Sequence, residues 1–173
     1  MRDYVAAMRA ADRIGELPPI VLATLRHKMV DLAVEIGEGA VWANAARSHL
    51  AASLAAVPRE RIDGGFFVGN MLNTCIDDDV EAAKAVCKRS LTGYLMLPNY
   101  RNYWKECGYA EEMAAVESAI AAGEQAKLPS LMTERWLDDC ALFGPAAKVR
   151  DGLEQWYAAG MRNPVLVPAS ANG

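Results

Sequence analysis

The sequence predicts an α/β protein built on a parallel sheet. Short apolar runs alternate along the chain with stretches whose apolar residues recur at helical spacing, which is the pattern of repeated βα units. Four runs qualify as strands: residues 20–23, 40–43, 66–76 and 164–167. A closed eight-stranded barrel usually takes about 250 residues. A chain of 173 residues therefore has room for about half of a barrel or for a small open sheet, and periodicity alone leaves both possible.

Three helices are predicted in the first half of the chain. The first covers residues 2–14 and ends at Gly15, because two prolines follow shortly after it. The second lies between the first two strands, where apolar residues recur at i, i+3, i+4 and i+7: Met29, Leu32, Ala33 and Ile36. A third covers residues 46–56, up to the edge of Pro58.

The second half contains four more predicted helices. They are a long face from Val80 to Tyr94, residues 110–122, residues 133–142, and a closing helix between Gly144-Pro145 and Gly160. The acidic run Asp77-Asp78-Asp79 stands where N-caps and first-turn acids belong, so we interpret it as a helix start and not as a metal site. Pro98 ends the long helix and opens an aromatic-rich segment that continues to Gly108.

Composition limits the classes of function. Hydrophobic residues make up 53% of the chain and charged residues 23%, which predicts one globular domain over residues 1–173. The net charge of −4 argues against a nucleic-acid partner, which would normally require a basic stripe. No apolar run approaches the roughly 18 residues of a membrane span, and the charged N-terminal segment lacks a signal-peptide core. We therefore expect a cytoplasmic protein with no membrane partner.

The cysteines and histidines do not form a metal-binding pattern. The four cysteines, Cys75, Cys87, Cys107 and Cys140, are widely spaced, and neither His27 nor His49 stands at ligand spacing to any of them. We interpret the cysteines as structural thiols and predict no metal site. We expect both histidines to face solvent, with contact to a phosphate as the alternative for His27. The sequence also offers no nucleophile–base pair, so no catalytic residue is assigned.

Four stretches, in chain order, carry a resemblance to a known family. They are Pro19–Met29 followed by Leu32-Ala33; Glu35–Val41; Tyr94–Tyr100 followed by Gly108-Tyr109; and a closing group of Phe143–Pro145, Val149-Arg150, Ala158–Gly160 and Pro164–Pro168. Together they resemble the C-terminal half of the luciferase-like monooxygenase superfamily, whose members are flavin- and deazaflavin-dependent (β/α)8 barrels. The barrel's first four strands have no counterpart in this chain. Arg26-His27 stands where the family often has Gly-Pro, and Gly37-Glu38-Gly39 where it has Ala-Asp-Gly.

The resemblance implies a partial (β/α)8 TIM barrel, with about four parallel strands, that corresponds to the C-terminal half of the family's barrel. It also implies an oxidoreductase or monooxygenase subunit. The cofactor would be the deazaflavin coenzyme F-420 or FMN, and the substrate a small organic molecule that the sequence does not identify. The segment from Tyr94 to Tyr109 is similar to an insertion of the deazaflavin-dependent branch and favours that cofactor.

The loop after the first strand is the candidate phosphate site. Ligands of parallel barrels bind at the carboxyl ends of the strands, and Ala23, Thr24, Leu25 and Arg26 occupy that position before a helix begins. Backbone N–H groups at a helix N-terminus attract phosphate, and Arg26 offers a charge-assisted contact. The resembled family places its cofactor phosphate on this loop. The alternative is an ordinary surface arginine.

Other candidate residues have two interpretations each. Asn44 follows the second strand and either hydrogen-bonds a cofactor edge or forms a turn, while Trp42 within the strand is expected in the core. An aromatic cluster either packs in the core, which helical spacing favours, or forms a wall for a ring-shaped ligand: Tyr94, Tyr100, Tyr103 and Trp104.

A half-barrel also predicts a partner. Four strands leave two open parallel edges and an uncovered apolar inner face, which a monomer tolerates poorly. The chain would then form a homo-oligomer or pair with a separately encoded N-terminal half, with or without cofactor binding. A non-catalytic protein that has lost the site is the third possibility.

Overall fold

A computed structural model describes residues 1–11 and 15–172 of the chain. Within these residues five strands form one parallel sheet: β1 (Val21–Ala23), β2 (Gly39–Ala43), β3 (Phe67–Ile76), β4 (Ala141–Gly144) and β5 (Asn163–Pro168). The helices are α1 (Arg2–Arg9), α2 (His27–Ile36), α3 (Leu50–Leu54), α4 (Arg59–Asp63), α5 (Val80–Leu95), α6 (Pro98–Glu106), α7 (Ala110–Ala121), α8 (Glu134–Cys140) and α9 (Ala146–Ala158). Short 3-10 segments cover Arg47–His49 and Gln125–Leu131.

The long strand β3 is the centre of the sheet. Its residues Gly69–Met71 pair with β2 and with β5 at the same time, so these two strands lie on opposite edges of β3. Farther along, Asn73 and Thr74 pair with both β4 and β5. β4 therefore pairs with the same edge of β3 as β2 does, farther along the strand. β1 pairs with the other edge of β2.

One face of the sheet is covered and holds the core. Side chains alternate between the faces of a strand, and the covered face receives Leu22, Trp42, Val68 and Leu72, all at most 4% exposed. The helices pack on this side, where Trp104, Trp136 and Trp156 are fully buried. The covered face is the main source of hydrophobic stability.

The opposite face, which we call the open face, carries apolar side chains without a covering layer among the described residues. The strand registers place these residues side by side: Val21, Ala23, Val41, Ala43, Phe67, Gly69, Met71, Asn73, Val165 and Val167. Val21, Met71 and Val165 are 36%, 40% and 39% exposed. The Phe67 ring lies over Gly69, so a side chain at that position would displace the ring.

Most predicted elements are confirmed. The four predicted strands correspond to β1, β2, β3 and β5, and the acidic run caps α5 as expected, because the Asp79 carboxylate accepts hydrogen bonds from the N–H groups of Glu81 and Ala82 at 3.0 Å. The first helix ends at Arg9, earlier than the predicted 2–14, and residues 12–14 lie outside the described part of the chain.

Two predicted helices need correction. Residues 46–56 were expected as one helix but form a 3-10 turn followed by the short α3. The helix expected over 133–142 ends at Cys140, and β4 follows without a turn, so the sheet has five strands where about four were predicted. β4 is buried at all four positions and so lacks the alternation that identifies a half-buried strand. The aromatic-rich segment after Pro98, for which no element was predicted, is a helix, α6.

Candidate functional site

Polar side chains meet where β1, β2 and β3 approach their carboxyl ends. Thr24 follows β1, Asn44 follows β2, and Asn73 lies in the second half of β3. Parallel strands place these ends along one edge of the sheet, which is where ligands bind in parallel α/β proteins. The structure therefore places Thr24 and Asn44 at this edge and adds a third residue, Asn73, which contacts Asn44 and was not predicted from the sequence.

The loop after β1 is partly used by the sheet. The Thr24 N–H donates to the Val41 carbonyl at 2.8 Å, and Thr24 is only 6% exposed. Ala23 lies exposed at the end of β1, and Leu25 packs against the core. The Thr24 amide is therefore engaged, and the free donors of this loop must lie farther along the chain.

Those donors are in the first turn of α2. The earliest hydrogen bonds of this helix run from the N–H groups of Met29 and Val30 to the Arg26 carbonyl, at 2.9 and 3.3 Å. The amides of His27 and Lys28 precede them and, like the first amides of any helix, have no acceptor within it. His27 is exposed, as predicted. This end of α2 can therefore accept an anion.

Arg26 forms a two-point ion pair with Glu106. Its Nε donates to Glu106 Oε2 at 3.0 Å and its Nη2 to Oε1, and these hydrogen bonds to the carboxylate raise the pKa of Arg26. About two fifths of each side chain is exposed, 43% for Arg26 and 40% for Glu106. The predicted phosphate contact is thus held by the last residue of α6.

Asn44 adopts a left-handed backbone conformation with φ of 56°, which asparagine tolerates better than most residues. Its N–H donates to the Met71 carbonyl at 3.0 Å, and its own carbonyl accepts from Trp104 Nε1 at 3.3 Å. The residue is 2% exposed. The turn interpretation of Asn44 is confirmed. A hydrogen bond from Asn44 to a cofactor edge stays a prediction.

The Asn44 side chain contacts Asn73 directly. Asn73 Nδ2 donates to Asn44 Oδ1 at 2.8 Å. Asn44 Nδ2 is buried and has no hydrogen-bond partner among the described residues. Alternation along β3 places Asn73 on the open face, two residues after Met71, and it is half-buried. The one sequence signal for it was an asparagine within an otherwise apolar run.

Helix α6 covers this edge with aromatic side chains. Tyr103 and Trp104 are at most 1% exposed, and the Ala46 N–H donates to the Tyr103 hydroxyl at 3.1 Å. Burial raises the pKa of Tyr103, so it stays neutral. Trp104 packs 5.4 Å from the Tyr100 ring and 4.8 Å from the Trp136 ring, measured between centroids. The core interpretation therefore holds for Tyr103 and Trp104.

The remaining aromatic predictions have different outcomes. Tyr94 and Tyr100 are half-buried and pack edge to face, with ring centroids 4.9 Å apart. Trp42 is in the core as predicted, at 1% exposure. His49 was expected to face solvent but is half-buried, because its ring packs edge-on against Tyr103 at 6.0 Å.

A buried carboxylate stabilises the 3-10 turn that follows Asn44. Asp139 in α8 is 5% exposed and accepts hydrogen bonds from the Ser48 N–H at 2.9 Å, the Ser48 hydroxyl at 2.6 Å and the Tyr109 hydroxyl at 2.7 Å. These bonds tie the 3-10 turn after Asn44 to α8. No sequence pattern connected the three residues.

The cysteines are free thiols, and Cys107 is the one that is not fully buried. Burial raises the pKa of Cys87 and of Cys107 to about 12 in each case, so both are protonated at neutral pH. Across the described ranges, no group of three or more His, Cys, Asp and Glu residues could hold a metal ion. The same residues contain no helix with the length and apolarity needed to cross a membrane.

A cavity of about 510 Å³ opens at the other end of the strands, lined in part by Val21, Glu38, Arg61 and Phe67. These residues lie at or next to the amino ends of β1, β2 and β3. The cavity is thus separate from the polar edge described above.

Comparison with known proteins decides the family. A family model described as luciferase-like monooxygenase matches residues 2–163, which is nearly the whole chain. The chain belongs to the luciferase-like monooxygenase family. In this luciferase-like chain, the covered face corresponds to the helix-bearing outside of a barrel and the open face to its interior. The fold predicted from the sequence resemblance, a partial barrel, is confirmed.

Two solved structures are similar to this luciferase-like chain. One is the coenzyme F420 dependent tetrahydromethanopterin reductase from Methanopyrus kandleri, with a TM-score of 0.68 and 18% identity over 87% of this chain and 45% of that one. The other is an F420-dependent secondary alcohol dehydrogenase in complex with an F420-acetone adduct, with a TM-score of 0.59 and 15% identity over 90% of this chain and 44% of that one. The chain thus spans about half the length of each. No curated protein matches it.

Proposed function

We propose that this chain binds the deazaflavin coenzyme F-420 at the carboxyl ends of β1, β2 and β3, as part of an oxidoreductase. The observation that carries the proposal is that two kinds of group lie at the same carboxyl edge of the sheet: the first amides of α2 beside Arg26, and the amide pair of Asn44 and Asn73. The first suits a phosphate and the second suits the hydrogen-bonding edge of a ring. Both solved neighbours are named as F420-dependent enzymes.

The residues present fit such a cofactor. A phosphate group would receive hydrogen bonds from the first turn of α2 and a charge-assisted contact from Arg26. To reach it, Arg26 would exchange Glu106 for the phosphate, and both side chains are exposed enough to move. The unpartnered Asn44 Nδ2 shows that the polar edge has hydrogen-bonding capacity that the described residues do not use.

The role of the protein in the reaction follows from these contacts. The bound deazaflavin ring supplies hydride transfer, and the protein supplies binding, orientation and exclusion of water. Arg26 and the α2 amides hold the phosphate, and the asparagine pair fixes one ring edge. The aromatic side chains of α6 keep the edge dry from one side. The substrate is a small organic molecule of unassigned structure.

FMN is the alternative cofactor, since it carries a phosphate and a ring with a similar polar edge. The segment from Tyr94 to Tyr109 and the names of the two solved neighbours favour the deazaflavin. A cytoplasmic location is proposed with it, because a reducing compartment suits four free cysteines.

Fluorescence titration of the chain's tryptophans with F420, FMN and phosphate-free riboflavin tests the proposal. We expect saturable micromolar binding of F420, and weaker binding of riboflavin than of FMN. Arg26→Ala is expected to weaken F420 binding about tenfold through loss of one charge-assisted hydrogen bond. Arg59→Ala is the matched control, because Arg59 is exposed on α4 and, within the described part of the chain, pairs only with Asp63. No saturable binding of any of the three ligands would refute the proposal.

The open face supports a second proposal, an assembly. Exposed apolar side chains fill it, and β1 and β5 each pair with one strand among the described residues, which leaves two free parallel edges. We propose that residues 1–173 act as a C-terminal half-barrel that completes its sheet with another half-barrel, either a second copy or a separate N-terminal half. Light scattering should then give a native mass of at least twice the chain mass of 18.7 kDa, alone or with that half.

A further inference from the structure

The two asparagines of the polar edge differ in what they can reach. Asn44 is 2% exposed, while Asn73 is half-buried on the open face. A ligand on the open face would therefore meet the Asn73 amide first.

Asn44 is built to hold a fixed position. Its left-handed backbone is held by two hydrogen bonds: the Asn44 N–H donates to the Met71 carbonyl, and the Asn44 carbonyl accepts from the Trp104 indole. The following residue, Ala45, donates its N–H to the Asn70 side chain at 3.2 Å. A side chain on so constrained a turn has a defined direction, and its Oδ1 lies 2.8 Å from Asn73 Nδ2.

We infer that Asn73 is the ligand-contacting amide of this site and that Asn44 is its positioning residue. The inference rests on the proposed function and refines it. The hydrogen bond from Asn73 to Asn44 fixes the plane of the Asn73 amide, so that its second N–H and its carbonyl oxygen face the open side of the sheet. An amide in that orientation offers one donor and one acceptor. That pattern suits a ring edge with alternating C=O and N–H groups, as in the pyrimidine part of a flavin or deazaflavin.

The unpartnered Asn44 Nδ2 adds a second reason. A buried amide donor without an acceptor is costly, and such groups mark sites where a ligand or water completes the network. It lies on the side chain that holds Asn73. The arrangement is incomplete without a further polar group at this edge.

Binding measurements with matched variants test the assignment. Asn73→Ala is expected to weaken F420 binding roughly five- to tenfold, the effect of one lost hydrogen bond. Asn163→Ala is the control: Asn163 lies on the same face in register with Gly69, four residues from Val167 and about 13 Å from the polar edge. It is exposed and should leave the affinity unchanged.

Asn44 requires a variant that preserves its turn. Asn44→Gly keeps access to positive φ and removes the amide, so it should weaken binding about as much as Asn73→Ala without preventing folding. The double variant should show little further loss, because the two residues act as one unit. A purely structural role for Asn44 would give additive losses instead.

Thiol labelling gives a readout that does not depend on affinity. Asn73→Cys should react with a water-soluble maleimide faster than the native cysteines, and saturating F420 should slow that reaction. Asn163→Cys should react equally fast with and without F420. If the unmodified chain binds no F420, the proposed function and this inference fail together. If it binds F420 but neither Asn73 variant responds, only the inference is overturned.

Discussion

Arg26 and Glu106 stand eighty positions apart in the sequence and form one two-point ion pair that joins the loop after β1 to the end of α6. This pair occupies the guanidinium that the proposed phosphate would need. The same contact therefore connects α6, which covers the site, with the start of α2, where the phosphate would bind. Glu106 acts as an internal competitor for Arg26.

Releasing that competitor should strengthen phosphate binding. Glu106→Gln removes the carboxylate charge and leaves Arg26 free, so we expect F420 to bind roughly two- to fivefold more tightly, while stability changes little because the pair is exposed. Riboflavin, which lacks the phosphate, should be unaffected. Glu111→Gln on α7 is the control for a lost surface charge. Equal F420 affinity in both variants would exclude competition by Glu106.

The buried Asp139 should be a strong determinant of stability. Asp139→Ala leaves the buried Tyr109 hydroxyl and the Ser48 donors without their acceptor, so we expect the free energy of unfolding to fall by about 2–3 kcal/mol. Its neighbour Asp138 is 41% exposed and pairs with Lys148. Asp138→Ala should therefore cost no more than about 0.5 kcal/mol. Urea denaturation of the two variants provides the comparison, and similar losses would contradict the assigned role.

The ion pairs that attach α6 to α7 should make a contribution to stability that is lost in acid. A hydrogen bond from Lys105 lowers the pKa of Glu117, and Arg101 adds to the effect. Because the pKa of Glu117 is lower in the folded chain than in the unfolded chain, the stabilisation is present at neutral pH. It is lost as the pH falls through the folded pKa, which lies below the ordinary pKa of a glutamate.

Glu117→Gln should remove that contribution. The difference in urea midpoint between the unmodified chain and the variant should therefore be larger at pH 7 than at pH 3, and small in absolute terms because Glu117 is 40% exposed. Glu111→Gln, on the same helix, should show no such dependence. A difference that stays constant between the two pH values would show that the pair does not stabilise the fold.

The sequence predicted the repeating units better than the contacts between them. Helix α2 and strand β3 carry local periodicities that depend only on nearest neighbours, and both lie where expected. The pairing of Arg26 with Glu106 depends on how the end of α6 lies relative to the loop after β1, which no local pattern records. β4 was not predicted because four buried residues directly after a helix have no periodicity of their own.

The polar edge shows the same division. Asn44 could be selected because it follows a predicted strand, where ligand-binding loops begin. Asn73 could not, because its importance comes from the register of β3 and from which face of the sheet is open. Those properties follow from tertiary packing. A pattern of alternating residues gives two faces but does not say which one the helices cover.

The open face yields the last prediction. Met71 and Val165 are register partners on β3 and β5, each about two-fifths exposed, so they lie at the centre of the surface that another half-barrel would cover. Met71→Glu places a charge there, and burying an unpaired charge is strongly unfavourable. We expect the unmodified chain to have at least twice its chain mass of 18.7 kDa by light scattering, and the variant to be monomeric. Tyr157→Glu, at a 43% exposed position on α9, is the control and should leave the native mass unchanged. A monomeric mass for the unmodified chain would refute self-association, and mixing with a separately produced N-terminal half would then test the remaining partner.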